Sequence, residues 1–263
     1  MEKDSGIGQR AREEVLKVYL DAYEKYHSEG NRIGMAQTLE KIGDVSTSMG
    51  KLHDAYSFYT RSFEIWREIN DKRAMAEILR KLGIVSHRIN RLNEAQTYLK
   101  DAYALYEQLG DDQGIAMVLH ELGIISSKMR NYRQAEEHFS KSLEIERKLN
   151  NELGIAETLH ELGNIYAIQE KYAEAQKYYF ESLQLKIKLK DKVGEAMTRA
   201  ALGQIYLLRG DVEEALDMWR TSLPVLEANG LPEAKMVRDW IRSSTSRMER
   251  ERIRKSKFME IHK

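Results

Sequence analysis

Apolar residues recur along most of the chain at helical spacing, in pairs of short runs separated by polar breaks. In one copy of this pattern the first run has the spacing i, i+3, i+6 and i+7, at Leu159, Leu162, Ile165 and Tyr166. The polar segment 169–171 then separates it from a second run that starts at Tyr172. Each copy therefore predicts two helices joined by a turn, which we call helix A and helix B.

Two columns of small residues keep these copies in phase. Glycines stand forty residues apart inside each predicted helix A, at Gly43, Gly83, Gly123, Gly163 and Gly203. Alanines follow twelve residues later, at Ala55, Ala95, Ala135, Ala175 and Ala215. Because glycine inside a helix costs about 1 kcal/mol relative to alanine, we expect it to permit close packing of helix A on helix B. Large residues are expected at the flanks of this contact, at Tyr59, Leu99, Phe139, Tyr179 and Trp219.

A fixed period of this length predicts an all-α solenoid of stacked repeats. The chain of 263 residues is expected to form one domain, 1–263. Its five repeats are placed at 31–70, 71–110, 111–150, 151–190 and 191–230. A lone or capping helix is predicted at 8–29, and a C-terminal capping helix with a basic tail at 232–257.

Polar residues between the repeats predict where each helix A begins. An aspartate or asparagine precedes each one and is a candidate N-cap, at Asn31, Asp71, Asp111, Asn151 and Asp191. Pro224 falls inside helix B of the fifth repeat and should kink or stop that helix. The 8–29 segment has the phase of a helix B without its helix A, so it is either a polar cap or the remnant of a truncated array.

Composition narrows the functional classes. Lysine plus arginine and aspartate plus glutamate both total 42, so no net charge attracts the chain to nucleic acid or an anionic membrane. With no cysteine, no apolar leader and no bilayer-length apolar run, we expect a cytoplasmic protein. From Arg242 onward, eight lysines and arginines stand against three glutamates, with Phe258 as an aromatic. We interpret this tail as solvated, and contact with nucleic acid or an acidic partner stays open.

Catalytic and metal motifs are missing from the sequence. No glycine-rich phosphate loop, HExxH, GxSxG or cysteine nucleophile is present, so neither an enzyme nor a bound cofactor is expected. His120 and His160 occupy equivalent positions in neighbouring repeats, each followed by a glutamate. Since no third ligand accompanies them, we expect no metal site.

The order Leu-Gly in helix A, then alanine and an aromatic in helix B, resembles the tetratricopeptide repeat. The match extends from 31 to about 230. The period of 40 instead of 34 is similar to the long repeats of spindle-orientation adaptors, kinesin light chains and bacterial peptide-pheromone receptors. This resemblance implies a right-handed superhelix with helices A on the concave face and a ligand along that groove.

The resemblance also implies which residues face the groove, by their distance from each helix A glycine. They are Glu40 and Asp44 in the first repeat; Glu77, Arg80, Ile84, His87 and Arg88 in the second; Met117, His120, Ile124 and Lys128 in the third; Glu157, His160, Asn164 and Ile168 in the fourth; and Gln204 and Leu208 in the fifth. Their character changes from acidic through basic to apolar, which suits a peptide or short helix with an acidic centre. Asn164 matches the asparagine that binds ligand backbone in related repeats.

Three functions are consistent with this pattern. The first is a non-catalytic adaptor that binds a protein or peptide segment in the groove. The second is a bacterial-type peptide-signal receptor. The third is a structural scaffold that forms homo-oligomers through its end helices. The alternative that the helix A face binds no ligand also stays open.

Overall fold

The computed structural model describes the backbone of residues 2–261 and the side chains of residues 9–250 and 252. In that part of the chain all regular structure is α-helical, and no strand occurs. The helices are α1 (Glu2–Ser28), α2 (Arg32–Ser48), α3 (Leu52–Ile69), α4 (Lys72–Arg88), α5 (Leu92–Leu109), α6 (Asp112–Lys128), α7 (Tyr132–Lys148), α8 (Glu152–Ile168), α9 (Tyr172–Lys188), α10 (Lys192–Arg209), α11 (Val212–Ala228) and α12 (Glu233–Ile261).

Helix ends follow the capping residues expected from the sequence. The predicted N-caps of α2, α4, α6, α8 and α10 are confirmed, since each side chain accepts a hydrogen bond from the backbone N–H three residues later. In α4, for example, Asp71 Oδ1 lies 3.0 Å from Ala74 N. At the other end, Gly210 terminates α10 in the left-handed region, with φ 93°.

The glycine column is explained by a side chain of helix B that lies directly over it. A Cβ placed on Gly123 would lie 2.5 Å from Cε1 of Phe139, and one on Gly43 would lie 2.4 Å from Cε1 of Tyr59. Large residues were expected at the flanks of the helix contact, and that placement is wrong. The glycine leaves room for the ring itself, which is why that ring is almost fully buried.

A second set of contacts joins each helix B to the following helix A. The Tyr106 ring of α5 covers Gly114 of α6, and the Tyr26 ring of α1 covers Gly34 of α2 in the same way. The helix α1 is therefore packed on α2 as a helix B packs on the next helix A. Its outer surface carries the exposed side chains of Val15 and Val18.

The helix α11 continues through Pro224 to Ala228, so of the two expected effects of this proline the stop is wrong, and the kink stays a prediction. Pro224 is exposed, whereas Trp219, Ser222 and Leu226 are buried on the packed face of the same helix. Packing on both sides of the proline offsets the loss of one backbone hydrogen bond.

Two compact units make up the chain, residues 1–145 and 146–263, which we call unit 1 and unit 2. In unit 1, one buried cluster joins α4, α5 and α6 around Leu99 and Tyr106. In unit 2, another joins α10, α11 and α12 around Trp219 and Val237. A single domain over 1–263 stays a prediction.

Candidate functional site

The predicted groove residues lie on helices A. Those of unit 1 are on α2, α4 and α6, and those of unit 2 are on α8 and α10.

In unit 1, Lys81 of α4 links two predicted groove residues of α2. Its Nζ donates to Glu40 Oε1 over 2.8 Å and to Asp44 Oδ1 over 2.7 Å. The same Asp44 oxygen accepts a 2.8 Å hydrogen bond from the hydroxyl of Tyr59, the residue that covers Gly43. Burial alone would lower the pKa of Lys81, but Asp44 and Glu40 outweigh it and raise that pKa. The lysine therefore stays charged, and together with Lys41, whose Nζ lies 3.8 Å from the other oxygen of Asp44, it balances the two carboxylates of this surface.

Arg80 is also neutralised within the protein. Its Nη2 donates to Glu77 Oε1 over 2.6 Å, and the Tyr106 hydroxyl donates to the other oxygen of Glu77 over 2.9 Å. Burial by itself would raise the pKa of Glu77, but Arg80 and then Tyr106 hold it below its ordinary value. This cation of the predicted basic region is therefore already paired.

Two other cations of unit 1 are exposed at helix ends. Arg88 is the last residue of α4, and Lys128 is the last residue of α6. Neither has a hydrogen bond or ion pair with any residue that the structure describes in unit 1. Burial, and then the charges of Lys128 and Arg88, lower the pKa of half-buried His87. Both cations therefore lie near this histidine. We call Arg88 and Lys128 the cation cluster; His87 between them is held neutral by burial and by these two charges.

Apolar and aromatic contacts occupy the rest of this surface. Ile84, Ile124 and Met117 are half-buried. His120 packs edge-on against Phe139, with ring centroids 5.5 Å apart. Burial lowers the pKa of His120 to about 4, so the imidazole is neutral at pH 7.

In unit 2, Asn164 forms hydrogen bonds within its own repeat. Its Oδ1 accepts a 2.6 Å hydrogen bond from the hydroxyl of Tyr179, and its Nδ2 donates to Glu161 Oε2 over 3.1 Å. Asp44 accepts from Tyr59 at the equivalent positions of the first repeat. Asn164 therefore has an intramolecular role that the sequence comparison with ligand-binding asparagines does not reveal.

In the first four repeats, the residue after the helix A glycine matches the side chain that covers the glycine; in the fifth, Trp219 covers Gly203 and donates to Ala200 O instead. Where that side chain is a tyrosine, the following residue is a polar acceptor, as in Asp44 and Asn164. Where it is Leu99 or Phe139, the following residue is an isoleucine, with the pairs Ile84–Leu99 and Ile124–Phe139. The polarity of this position is thus set by packing inside the repeat.

His160 is bound to a hydroxyl of the next helix A. Its Nδ1 lies 3.1 Å from Thr198 Oγ1, and Lys186 Nζ donates to the same oxygen over 3.0 Å. Since Thr198 donates its only proton to Gly194 O, the Nδ1 of His160 must be the donor. Burial and then the charge of Lys186 lower the pKa of His160 to about 3.

The remaining predicted residues of unit 2 reach solvent. Glu157 and Gln204 are exposed. Ile168 and Leu208 are large apolar residues with about half of their surface exposed, at 49% and 52%. This face therefore offers a carboxylate and an apolar surface to a ligand.

Sequence reasoning missed several residues of these surfaces. Lys81, Tyr59 and Tyr106 belong to the network of unit 1 although they lie outside the predicted set. Glu146 and Lys186 are buried in unit 2, in a column that is otherwise apolar or aromatic. Both residues could have been identified from the sequence, because each is a charged residue at a position that is apolar or aromatic in the other repeats.

Within the described residues, no group of three or more His, Cys, Asp or Glu is arranged to hold a metal ion. Over the same part of the chain, no helix combines the length and apolarity needed to cross a membrane. Phe258 and most side chains of the basic tail lie outside the described side chains, so contact of this tail with nucleic acid stays untested.

Comparisons with known proteins place these repeats in context. A family model described as tetratricopeptide repeat matches residues 34–108, 114–188 and 154–228. No curated protein sequence matches the chain.

Solved structures with a similar fold are numerous. BtubC (BKLC) from P. vanneervenii is 20% identical, with a TM-score of 0.71 over 84% of this chain and 92% of that one. A Rap protein complexed with competence and sporulation factor is 16% identical, with a TM-score of 0.65 over 93% of this chain and 73% of that one. Kinesin light chain TPR-like repeats from Podosopora anserina are 14% identical, with a TM-score of 0.59 over 74% of this chain and 96% of those repeats.

Proposed function

Because the chain belongs to the tetratricopeptide repeat family, we propose that it is a cytoplasmic, non-catalytic adaptor that binds a segment of a partner protein on its helix A face. Repeats of this family are in general non-catalytic and form protein-interaction scaffolds. The predicted groove residues are the proposed contact surface. The ligand is an extended peptide or a short helix.

The cation cluster is the observation that supports this proposal best. Arg80, Glu40 and Asp44 are paired inside the protein, so a ligand would have to break an ion pair to bind any of them. Arg88 and Lys128 keep their charges at the surface of unit 1. An acidic residue of a partner segment would be bound there, because it gains two cations without breaking an intramolecular pair.

The experiment starts from peptides selected on the intact chain from an unbiased peptide library. We expect acidic residues to be enriched among them. The double variant Arg88→Glu/Lys128→Glu should weaken binding at least about tenfold, which corresponds to about 1.4 kcal/mol. Fluorescence anisotropy of the labelled peptides measures this change.

A matched control reverses two exposed cations on helices B of the same unit, in the variant Lys100→Glu/Arg133→Glu. It makes the same change in net charge and should alter affinity by less than about twofold. Unchanged binding by the folded Arg88→Glu/Lys128→Glu chain would show that the cation cluster does not contact the ligand.

Two other functions remain proposals, and each can be tested by a separate experiment. A peptide-signal receptor is compatible with the fold, and one of the similar Rap structures has competence and sporulation factor bound. A change in small-angle scattering on peptide binding would favour it. Self-association through the end helices would appear as a mass that rises with concentration in light scattering.

A further inference from the structure

One column of side chains changes from aromatic to charged in the middle of the array. These residues lie at the junction of each helix B with the following helix A and are spaced by forty, at Tyr26, Trp66, Tyr106, Glu146, Lys186 and Leu226. Glu146 is only 3% exposed and Lys186 only 5% exposed. Charged side chains are rarely buried to this extent unless they are paired.

The carboxylate of Glu146 is not fully paired. Its Oε2 is buried and has no hydrogen-bond partner among the described residues of unit 2. The carboxylate lies against Gly154, because a Cβ built there would come within 1.7 Å of Oε2. Glu157 follows Gly154 by three residues on α8, so it lies on the same face of the helix one turn away. The two carboxylates are therefore neighbours.

Glu157 also lacks a partner. At the equivalent position of unit 1, Glu77 is bound by Arg80 and Tyr106. Glu157 has no hydrogen bond or ion pair with the residues that the structure describes in unit 2, and its side chain reaches the surface. It has the acidic group of Glu77 without the cation that neutralises it.

The nearby lysine does not fill this role. Lys186 Nζ is held by the hydroxyl of Thr198, and no described carboxylate of unit 2 forms an ion pair with it. Burial lowers the pKa of Lys186, while Asp191, Glu157 and Glu161 act in the opposite direction. One buried cation thus stands among three carboxylates, one of which, Glu157, also faces the carboxylate of Glu146.

We propose that the helix A face of unit 2 binds a basic side chain, arginine or lysine, of a partner segment, which Glu157 receives at the surface and the buried carboxylate of Glu146 attracts from one helical turn away. This inference rests on the proposed function and names a second feature of the ligand. The exposed Ile168 and Leu208 on the same helices favour apolar residues beside the basic one.

The protonation of the two glutamates is consistent with a missing cation. Burial, and then the charge of Glu157, raises the pKa of Glu146 to about 7, with the Asn151 amide acting against this. Burial also raises the pKa of Glu157, with Asp191 and Glu161 adding to the effect and Lys186 opposing it. His160 is neutral in this range and contributes no charge. A bound cation favours the ionised carboxylates, so binding should release a proton and be stronger at pH 8 than at pH 6.

The test uses the intact chain and two capped pentapeptides, with a central arginine or its neutral analogue citrulline between leucines. Isothermal titration calorimetry at pH 8 should show the arginine peptide binding at least about fivefold more tightly. Affinity for it should fall about three- to tenfold at pH 6. Glu157→Gln should abolish the preference for arginine. Glu146→Gln should remove the pH dependence and keep part of that preference.

Glu174→Gln is the matched control, because Glu174 is an exposed glutamate on helix α9 of the same unit. It should change neither affinity nor pH dependence. Equal binding of both peptides to the wild-type chain at pH 8, or a preference for arginine that survives Glu157→Gln, overturns the inference. If acidic peptides still bind through Arg88 and Lys128 in that case, only this inference is wrong. If arginine binding depends on Glu157 while acidic peptides fail to bind, the assignment of the cation cluster is wrong instead.

Discussion

Where a tyrosine covers a helix A glycine, the polar residue after that glycine is predicted to stabilise the fold by accepting a hydrogen bond from the tyrosine hydroxyl. Asn164→Ile removes the acceptor of the Tyr179 hydroxyl, which donates over 2.6 Å from a side chain that is 3% exposed. A buried donor without an acceptor costs about 1 to 3 kcal/mol. We expect the free energy of unfolding to fall by that amount. The thermal midpoint should fall by about 2 to 4 °C per kcal/mol.

A second substitution separates this hydrogen bond from other effects at the same site. Tyr179→Phe removes the hydroxyl, and adding Asn164→Ile then recreates the apolar pair Ile124–Phe139 of the third repeat. In the Tyr179→Phe background, Asn164→Ile should cost little. Urea unfolding of the four chains, followed by far-UV circular dichroism, should therefore give a coupling energy of about 1 kcal/mol or more.

The third repeat supplies the reciprocal control. Ile124→Asn places an amide beside Phe139, which has no hydroxyl to donate, so this change should destabilise the chain until Phe139→Tyr is added. A coupling energy near zero at Asn164 and Tyr179 would refute the packing explanation. Asn164 would then be available for the ligand-binding role implied by the family resemblance.

Two further predictions concern packing and pH. Gly123→Ala brings a Cβ to 2.5 Å from Phe139 and should destabilise the chain by about 1 to 3 kcal/mol, measured by urea unfolding. The same change should be nearly neutral in a Phe139→Ala chain, and an equal loss in both would contradict the contact. The pKa of Glu146 is raised from 4.5 to about 7, so its stabilising contribution is complete below pH 4.5 and is lost as the pH rises through about 7. The urea midpoint should therefore be lower at pH 8 than at pH 6 in the wild-type chain, and Glu146→Gln should reduce that difference.

Local sequence signals and the repeat period were sufficient to predict most of the fold. The N-caps depend on a side chain and a backbone N–H only three residues apart, as in Asp71 and Ala74, so the sequence reveals them directly. The glycine column repeats five times, and only a packing requirement explains a costly residue at a constant position. Pro224 does not stop its helix because its local effect is opposed by the buried residues on both sides of it.

The spacing of small and apolar residues was enough to show that this chain is a series of paired helices with the period of a tetratricopeptide-like repeat, because such residues mark the packed faces of helices. Which polar residues remain available to a ligand depends instead on contacts between helices that are distant in sequence. The partners of Lys81 lie 41 and 37 residues away, and the acceptor of Tyr179 lies 15 residues away on another helix. Hydrogen bonds form over about 3 Å. Whether a charge such as that of Arg80 or Arg88 can bind a ligand is therefore known only when its neighbours in the folded chain are known.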